Sequence, residues 1–179
     1  AQAENMAVTI ARDELAPLAG QLSDQHRFPT DVLRSFGARG LFGVNIDPAF
    51  GGLGAGAEGY VRVVRQLAEA DAGTAVGMMV SNMGAEAVAA YGDDHQKDTV
   101  LRRIQSGDYA AAGFSLSEPG SGSDAASLTT TAVRDGDADD ADYVLNGTKA
   151  WVTSGGHAGV YLVMARTDPN ERSRGISAF

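Results

Sequence analysis

The chain has 179 residues, of which 44% are hydrophobic and 21% are charged, and these values are typical of a globular protein rather than a disordered one. Its net charge of −9, with 14 scattered lysines and arginines, argues against a nucleic-acid partner, because such proteins usually carry a basic patch. The absence of cysteine excludes disulfides, thiolate nucleophiles and cysteine metal sites, and the three histidines are too far apart in sequence to form a metal-binding spacing, so we predict no metal site. No apolar run reaches the ~20 residues of a membrane helix.

The first part of the chain, up to about residue 107, has its apolar residues at helical spacing. One face of a first helix is formed by Val8, Ala11, Leu15, Leu18 and Leu22. Pro17 lies inside this pattern and predicts a kink or a break in the helix. Residues 29–40 predict a short second helix with Thr30 as its N-cap and an exit at Gly37 or Gly40.

A loop and further helices are predicted before residue 110. Residues 50–56 are too rich in glycine for the interior of an element and predict a loop. The next helical face is formed by Tyr60, Val64, Leu67 and Ala68. Residues 74–91 are apolar nearly all round, which predicts a buried helix. Asp93, with Gln96 three residues on, predicts a capping box, and Gly107 predicts the helix end.

Beyond residue 110 the apolar period changes to two, which predicts short strands separated by turns. The runs cover residues 110–116, 127–133, 142–153, 159–167 and 175–179. Asn146-Gly147 predicts a hairpin turn, and the acidic residues 134–142 predict an exposed turn. We therefore predict an α+β chain, with a helical domain over residues 1–111 and an antiparallel β domain over residues 112–179. Because the last run would leave an open strand edge, we expect a larger architecture.

The run "FSLSEPGSGSD", residues 114–124, permits three interpretations. It is a simple turn if Pro119 and Gly120 start it and Asp124 closes it. A dinucleotide fingerprint is present as Gly120, Gly122 and Ala125, but the residues that follow favour a strand instead of the helix that this motif must open.

The third interpretation is a cradle for a flat, polar cofactor. Alternation along residues 114–117 puts the hydroxyls of Ser115 and Ser117 on one face of a strand. In a later predicted strand, alternation puts the Trp151 indole and the Thr153 hydroxyl on one face. If the two strands are neighbours, hydroxyl donors and an indole would suit an isoalloxazine ring. The alternative for Trp151 is a core tryptophan.

Three stretches of the chain resemble the acyl-CoA dehydrogenase family. "FSLSEPGSGSD" resembles the signature A-L-T-E-P-x-A-G-S-D, and "DYVLNGTKAWVTSGG" resembles Y-x-L-N-G-x-K-x-W-I-T-N-G. Residues 11–54 are similar to the N-terminal helices and glycine-rich loop of the family. The departures are Ser117 for the commoner threonine, Ser115 for a small residue and Ser154 for a frequent asparagine.

The resemblance implies N-terminal helices, a middle β-barrel that is incomplete here, and a C-terminal helical bundle. It implies an FAD-dependent flavoprotein oxidoreductase of fatty acid or amino acid catabolism, which oxidises an acyl-CoA to the 2,3-enoyl-CoA by hydride transfer to flavin N5. It also implies that electron-transfer flavoprotein accepts the electrons and that the full-length protein forms a homo-oligomer (dimer or tetramer). The expected location is the cytoplasm. The base would lie downstream of Phe179, so we nominate no catalytic residue, and we expect this chain alone to be inactive and to bind FAD poorly.

Site residues follow from the motif match. Cofactor contacts are expected from Phe114, Ser115, Leu116, Ser117, Gly122, Ser123, Trp151, Val152 and Thr153. Substrate contacts are expected from Ser123, Met78, Met79 and Met83, the methionines being flexible apolar residues that suit an aliphatic tail.

The remaining polar candidates are interpreted as structural. Glu118 and Asp124 are carboxylates beside a glycine loop, but the family assigns them no proton transfer, and His157 is interpreted as a surface-loop residue. Two rival functions stay open: a flavin monooxygenase or oxidase on the same fold, and a non-catalytic acyl-CoA-binding member.

Overall fold

A computed structural model of the chain describes residues 2–137 and 141–179, which form two compact units. The first unit contains the residues up to Gly113 together with Thr153–Val160, and the second contains Phe114–Val152 together with Tyr161–Phe179. Residues 138–140 of the predicted acidic turn lie outside the described part of the chain.

The first unit is predominantly helical. Its α-helices are α1 Gln2–Ile10, α2 Ala16–Asp24, α3 Thr30–Ala38, α4 Gly56–Ala70, α5 Ala72–Tyr91, α6 Asp94–Gln96 and α7 Arg102–Gln105. Short 3-10 helices cover Leu41–Gly43 and Pro48–Phe50, and π-helical turns cover Ala11–Leu15 and Lys97–Leu101. The helical character predicted for the first part of the chain is therefore confirmed.

Pro17 is accommodated by a π-helical turn instead of a break. The turn Ala11–Leu15 joins α1 directly to α2, and Pro17 lies in the first turn of α2. Proline cannot donate a helical hydrogen bond to the preceding turn and its ring crowds that turn, so a locally widened turn lets the helix continue.

Three of the four helix-end signals that the sequence predicted are present in the structure. Gly40 and Gly107 adopt left-handed backbone angles, with φ of 81° and 79°. Asp93 and Gln96 form the predicted capping box. The prediction of Thr30 as an N-cap is wrong: Thr30 is the first residue of α3, because the carbonyl of the preceding proline already accepts the first helical bond, from the Leu33 N–H at 2.9 Å.

Helix α5 is buried on one side only. Met78 and Ala85 are almost completely buried in the core of the first unit, which also contains the large side chains of Phe36 and Phe42. Along the other side Val76 is 45% exposed. The prediction of a helix buried all round is therefore wrong for these residues, and α5 presents an apolar stripe at its surface.

Ser81 on α5 fixes the start of the first strand, and its replacement provides a stability test. Its buried hydroxyl accepts a hydrogen bond from the Ala112 N–H at 3.1 Å and donates one to the Gly77 carbonyl at 2.9 Å. We expect Ser81→Ala to lower the free energy of unfolding by about 1–3 kcal/mol, because the buried Ala112 N–H loses its partner. Urea denaturation followed by circular dichroism measures this. Ser23→Ala, at an exposed helical position, should change stability by no more than about 0.5 kcal/mol.

The β region forms a mixed sheet. Its strands are β1 Ala112–Ser115, β2 Thr131–Arg134, β3 Tyr143–Asn146, β4 Val160–Arg166 and β5 Ile176–Ala178. Their order is β1-β4-β2-β3, with β5 beside β4. The β2–β3 and β4–β5 pairs are antiparallel, whereas β2 and β4 pair in parallel where Thr131 meets Arg166. A helical region followed by a β region is thus confirmed, while closure into a barrel and the boundary between residues 111 and 112 stay predictions.

The hairpin predicted at Asn146-Gly147 is wrong. Strand β3 ends at Asn146 and no strand follows until β4, so β3 pairs with the preceding strand β2 instead. Next to this pairing, the Asp135 N–H donates to the Asp142 carbonyl at 2.8 Å. Gly147 serves another purpose, because a Cβ atom at this position would lie 2.3 Å from Thr130 Oγ1.

Candidate functional site

A buried carboxylate, Glu118, organises the chain just after β1. Only 6% of the residue is exposed. The carboxylate accepts hydrogen bonds from the backbone N–H groups of Thr129 (2.7 Å) and Thr130 (2.9 Å), from both threonine hydroxyls and from Lys149 Nζ (2.9 Å). We refer to Glu118, Thr129, Thr130 and Lys149 as the Glu118 clamp.

The clamp keeps Glu118 ionised. Burial on its own would raise the pKa of this carboxyl, but the hydrogen bonds from Thr130, Thr129 and Lys149 outweigh burial and hold the pKa well below its ordinary value of 4.5. A general base needs a pKa near the working pH and an oxygen that can accept a proton. Glu118 satisfies neither requirement, which supports its interpretation as a structural residue.

The clamp also ties two segments of the sequence motifs together within the second unit. Lys149 Nζ donates to the Leu116 carbonyl at 3.1 Å, and the Ala150 N–H donates to the Ser117 carbonyl at 2.9 Å. Both bonds use carbonyl oxygens of the strand end and leave its amide and hydroxyl groups out of this contact. Ser115 is buried, and Phe114 and the other two strand-end residues are half-buried. The structure therefore brings residues 114–118 and 149–150 side by side.

Trp151 has an unusual conformation directly after this contact. Its φ is 59°, in the left-handed region that bulky residues rarely adopt, and 94% of the residue is exposed. The predicted alternation along this segment is wrong, because residues 147–152 form no strand. The alternative of a core tryptophan is also wrong. Strained backbone and an exposed indole together are features of ligand-binding sites.

Val152 is the last residue of this segment in the second unit, and Thr153 begins the segment that belongs to the first unit. Both residues are half-buried. Ser154 has a φ of 64°, and its buried Oγ has no hydrogen-bond partner among the described residues. The ring of His157 is stacked on Phe28 with their centroids 4.2 Å apart, so this exposed loop histidine anchors its turn. A buried hydroxyl without a partner is unusual in a native structure.

The loop after Glu118 is held from both ends. Ser121 is buried, and its hydroxyl donates to the Asp124 carbonyl at 2.8 Å. Gly122 and Ser123 at the tip are exposed. The Asp124 carboxylate accepts hydrogen bonds from Ser127 and from Arg172, so it is engaged in local contacts rather than free.

Arg166 supports the same loop from β4. Among the described residues, its guanidinium donates to the backbone carbonyl groups of Ala126, Leu128, Glu171 and Arg172. A planar side chain with five donors can bridge two loops in this way. The position of the glycine-serine loop is thus fixed by the second unit itself.

The three predicted substrate-binding methionines do not share one environment. Met78 is fully buried in the core, whereas Met79 is 37% and Met83 is 38% exposed. The exposed pair is four residues apart on α5 and extends the apolar stripe that begins at Val76. These residues belong to the first unit and Ser123 belongs to the second.

The sequence reasoning missed the partners of Glu118. Lys149, Thr129 and Thr130 lie 11 to 31 residues from the carboxylate, and a strand-like pattern conceals them. A lysine in an otherwise apolar and small run was the one available signal. Among the described residues, no group of three or more potential ligands could hold a metal ion, and no helix has the length and apolarity to cross a bilayer.

Comparisons with known proteins agree with this arrangement. The family model for the acyl-CoA dehydrogenase N-terminal domain matches residues 2–108, and that for the middle domain matches residues 113–179. An acyl-CoA dehydrogenase of Bacillus subtilis (strain 168) is 36% identical over 172 residues, which cover 94% of this chain and 44% of that protein.

Two solved structures are similar over 99% of this chain. One is described as the electron transferring flavoprotein of Acidaminococcus fermentans, with a TM-score of 0.90, 32% identity and 46% of that chain covered. The other is a glutaryl-CoA dehydrogenase of Mycobacterium smegmatis in complex with FADH2, with a TM-score of 0.87, 28% identity and 44% covered. The chain thus spans less than half the length of these proteins. It belongs to the acyl-CoA dehydrogenase family, of which it carries the N-terminal and middle domains.

Proposed function

We propose that this chain forms the flavin-binding part of an FAD-dependent acyl-CoA dehydrogenase. The observation that carries the proposal is Trp151, an almost fully exposed indole in a left-handed conformation, next to a strand end that a buried clamp holds in place. The similar glutaryl-CoA dehydrogenase contains FADH2, which supports FAD as the cofactor.

The residues that would hold FAD come from both motifs. The strand end would offer the Leu116 N–H and the Ser117 hydroxyl as donors, and Phe114 and Ser115 would be further contacts. Trp151, Val152 and Thr153 would supply the second contact, and Gly122 and Ser123 the third. When bound, FAD supplies a hydride acceptor. The residues of this chain would orient that acceptor and exclude water from one edge of it.

Proton abstraction is assigned to a residue outside these 179 positions. Glu118 is locked in its ionised state by five hydrogen bonds, and Asp124 is engaged by Ser127 and Arg172. Neither carboxylate is available to a substrate α-proton. We therefore propose that the dehydrogenase reaction needs the part of the relatives' length that this chain does not span.

The substrate would be an acyl-CoA. We assign the aliphatic tail to the apolar stripe of Val76, Met79 and Met83 on α5, because these side chains are exposed, whereas Met78 serves the core. Ser123 at an exposed loop tip is assigned to the CoA side of the ligand. We further propose electron-transfer flavoprotein as the acceptor, a dimer or tetramer as the assembly and the cytoplasm as the location.

Titration with FAD tests the proposed site, because Trp151 is the single tryptophan of the chain. We expect FAD to quench its fluorescence saturably and weakly, with half-saturation at or above about 1 μM, since only part of the site is present. NAD should give no saturable quenching. Quenching by FAD that rises linearly, as it does for free N-acetyl-tryptophanamide, would contradict the proposal, and saturable quenching by NAD would favour the dinucleotide interpretation instead.

A further inference from the structure

Lys149 joins the two segments of the candidate flavin edge through one nitrogen, because it belongs to one segment and both of its acceptors belong to the other. Its Nζ donates to the Leu116 carbonyl at 3.1 Å and to Glu118 Oε1 at 2.9 Å. Leu116 is itself a proposed flavin contact, and Lys149 lies two residues before Trp151, another proposed contact. The Lys149 side chain therefore links the two segments of the chain that the proposed function places against the flavin.

This contact is shielded from water. The Lys149 side chain is 12% exposed and that of Glu118 is 4% exposed. Ion pairs on a protein surface are weak because solvent screens them, whereas buried charge-assisted hydrogen bonds are short and directional. The Lys149 contact can thus hold a fixed distance between the backbone of Leu116 and the segment that leads to Trp151.

The neighbouring bond shows what Lys149 adds. The Ala150 N–H bonds the Ser117 carbonyl at 2.9 Å and joins the two segments at one point. A single backbone bond leaves the segments free to rotate about it. Lys149 adds a second attachment point, on the Leu116 carbonyl, which restricts that rotation. Trp151 contacts solvent over 94% of its surface, so few packing contacts of its own can fix its position.

We propose that Lys149 is a positioning residue for the flavin: by bonding its own segment to the Leu116 carbonyl and to Glu118, it sets the spacing between the strand end and the Trp151 indole. This inference rests on the proposed function, because it assumes that flavin binds at this edge. Lys149 does not touch the flavin in this scheme. It acts through Leu116 and Trp151, so its loss should change the order of Trp151 even when no ligand is present.

Three variants separate positioning from general stabilisation. Lys149→Met keeps an unbranched apolar stem that ends one atom earlier, removes both bonds and leaves Glu118 with its four threonine bonds, so the chain should still fold. Lys149→Arg retains donors for both acceptors. Thr130→Val removes one hydroxyl bond to Glu118 and leaves both Lys149 bonds in place, and it serves as the control for stability alone.

The first measurement needs no ligand. We expect the fluorescence anisotropy of Trp151 to fall in Lys149→Met and to stay at the wild-type value in Lys149→Arg and Thr130→Val. The second measurement is the FAD titration. We expect FAD to bind about tenfold more weakly to Lys149→Met and within about twofold of wild type to the other two variants.

The outcomes distinguish the two proposals. Unchanged anisotropy of Trp151 in Lys149→Met would overturn the positioning role even if FAD binds, and so would a loss of FAD affinity in Thr130→Val equal to that in Lys149→Met. A wild-type chain without saturable quenching by FAD would overturn the proposed function and, with it, the flavin part of this inference. Lower anisotropy and weaker FAD binding confined to Lys149→Met would support both proposals.

Discussion

Gly147→Ala is expected to lower the free energy of unfolding by about 3 kcal/mol or more, because the added methyl group has no space. Its Cβ would lie 2.3 Å from Thr130 Oγ1 and 2.7 Å from the Thr130 Cα. Since the second distance involves the backbone, rotation of a side chain cannot relieve the overlap. Thr130 would have to move, and with it two of the hydrogen bonds to Glu118.

Gly120→Ala is the matched control for this variant. The position lies in the same unit, and a Cβ built there meets nothing within 4 Å. We expect its free energy of unfolding to stay within about 0.5 kcal/mol of wild type. Urea denaturation followed by circular dichroism measures both variants. Equal stabilities for the two variants would show that the backbone of residues 129–130 does not approach Gly147 as closely as the structure indicates.

Gly147 also illustrates where sequence reasoning failed in this chain. Asn-Gly is a strong hairpin signal because both residues tolerate positive φ. The structure uses the absence of a side chain at Gly147 for close approach to Thr130, and β3 pairs with the preceding strand β2. The same Asn-Gly dipeptide can form a hairpin turn or allow close approach of another segment. Which of the two occurs here depends on Thr130, which lies 17 positions earlier. Local pattern cannot distinguish the two.

What could be predicted follows from local physics. The change of apolar period near residue 110 marks the helical and the β regions, and Asp93 and Gly107 mark helix ends through bonds within one turn. Trp151 depends instead on the fold around it. Alternation assumes an extended backbone, and a φ of 59° reverses the direction of the side chain. Nothing in the neighbouring residues indicates that conformation.

The Glu118 clamp was inaccessible for a similar reason. The sequence shows a carboxylate beside a glycine loop, a pattern that catalytic residues share. The five hydrogen bonds that it accepts come from Thr129, Thr130 and Lys149, which only the folded chain brings together. The family resemblance indicated that Glu118 is structural, and the contacts supply the physical reason for that role.

Glu118→Gln is expected to lower the free energy of unfolding by about 3–5 kcal/mol, because it leaves Lys149 as a buried charge without its partner. The side chain keeps its shape, but its amide nitrogen replaces one oxygen that accepts from a threonine, so the lost charge and the lost acceptor both contribute. Asp124→Asn is the matched control: the Arg172–Asp124 pair is exposed, with 60% of the aspartate side chain in solvent, and its loss should cost no more than about 1 kcal/mol. Similar losses in the two variants would contradict the clamp.

The same carboxylate makes stability depend on pH in a defined direction. The folded state holds the pKa of Glu118 well below its ordinary value of 4.5. The stabilisation is therefore fully present above about pH 5 and is lost as the pH falls below the ordinary pKa of 4.5, since the unfolded chain binds the proton first.

Glu118→Gln lacks the carboxyl group that titrates. The difference in free energy of unfolding between wild type and this variant should be constant from pH 6 to 8 and should shrink steadily as the pH is lowered to 3. A difference that stays constant across the whole range would mean that the Glu118 carboxyl titrates alike in the folded and unfolded chains, and the clamp would then have no electrostatic part in holding the strand end.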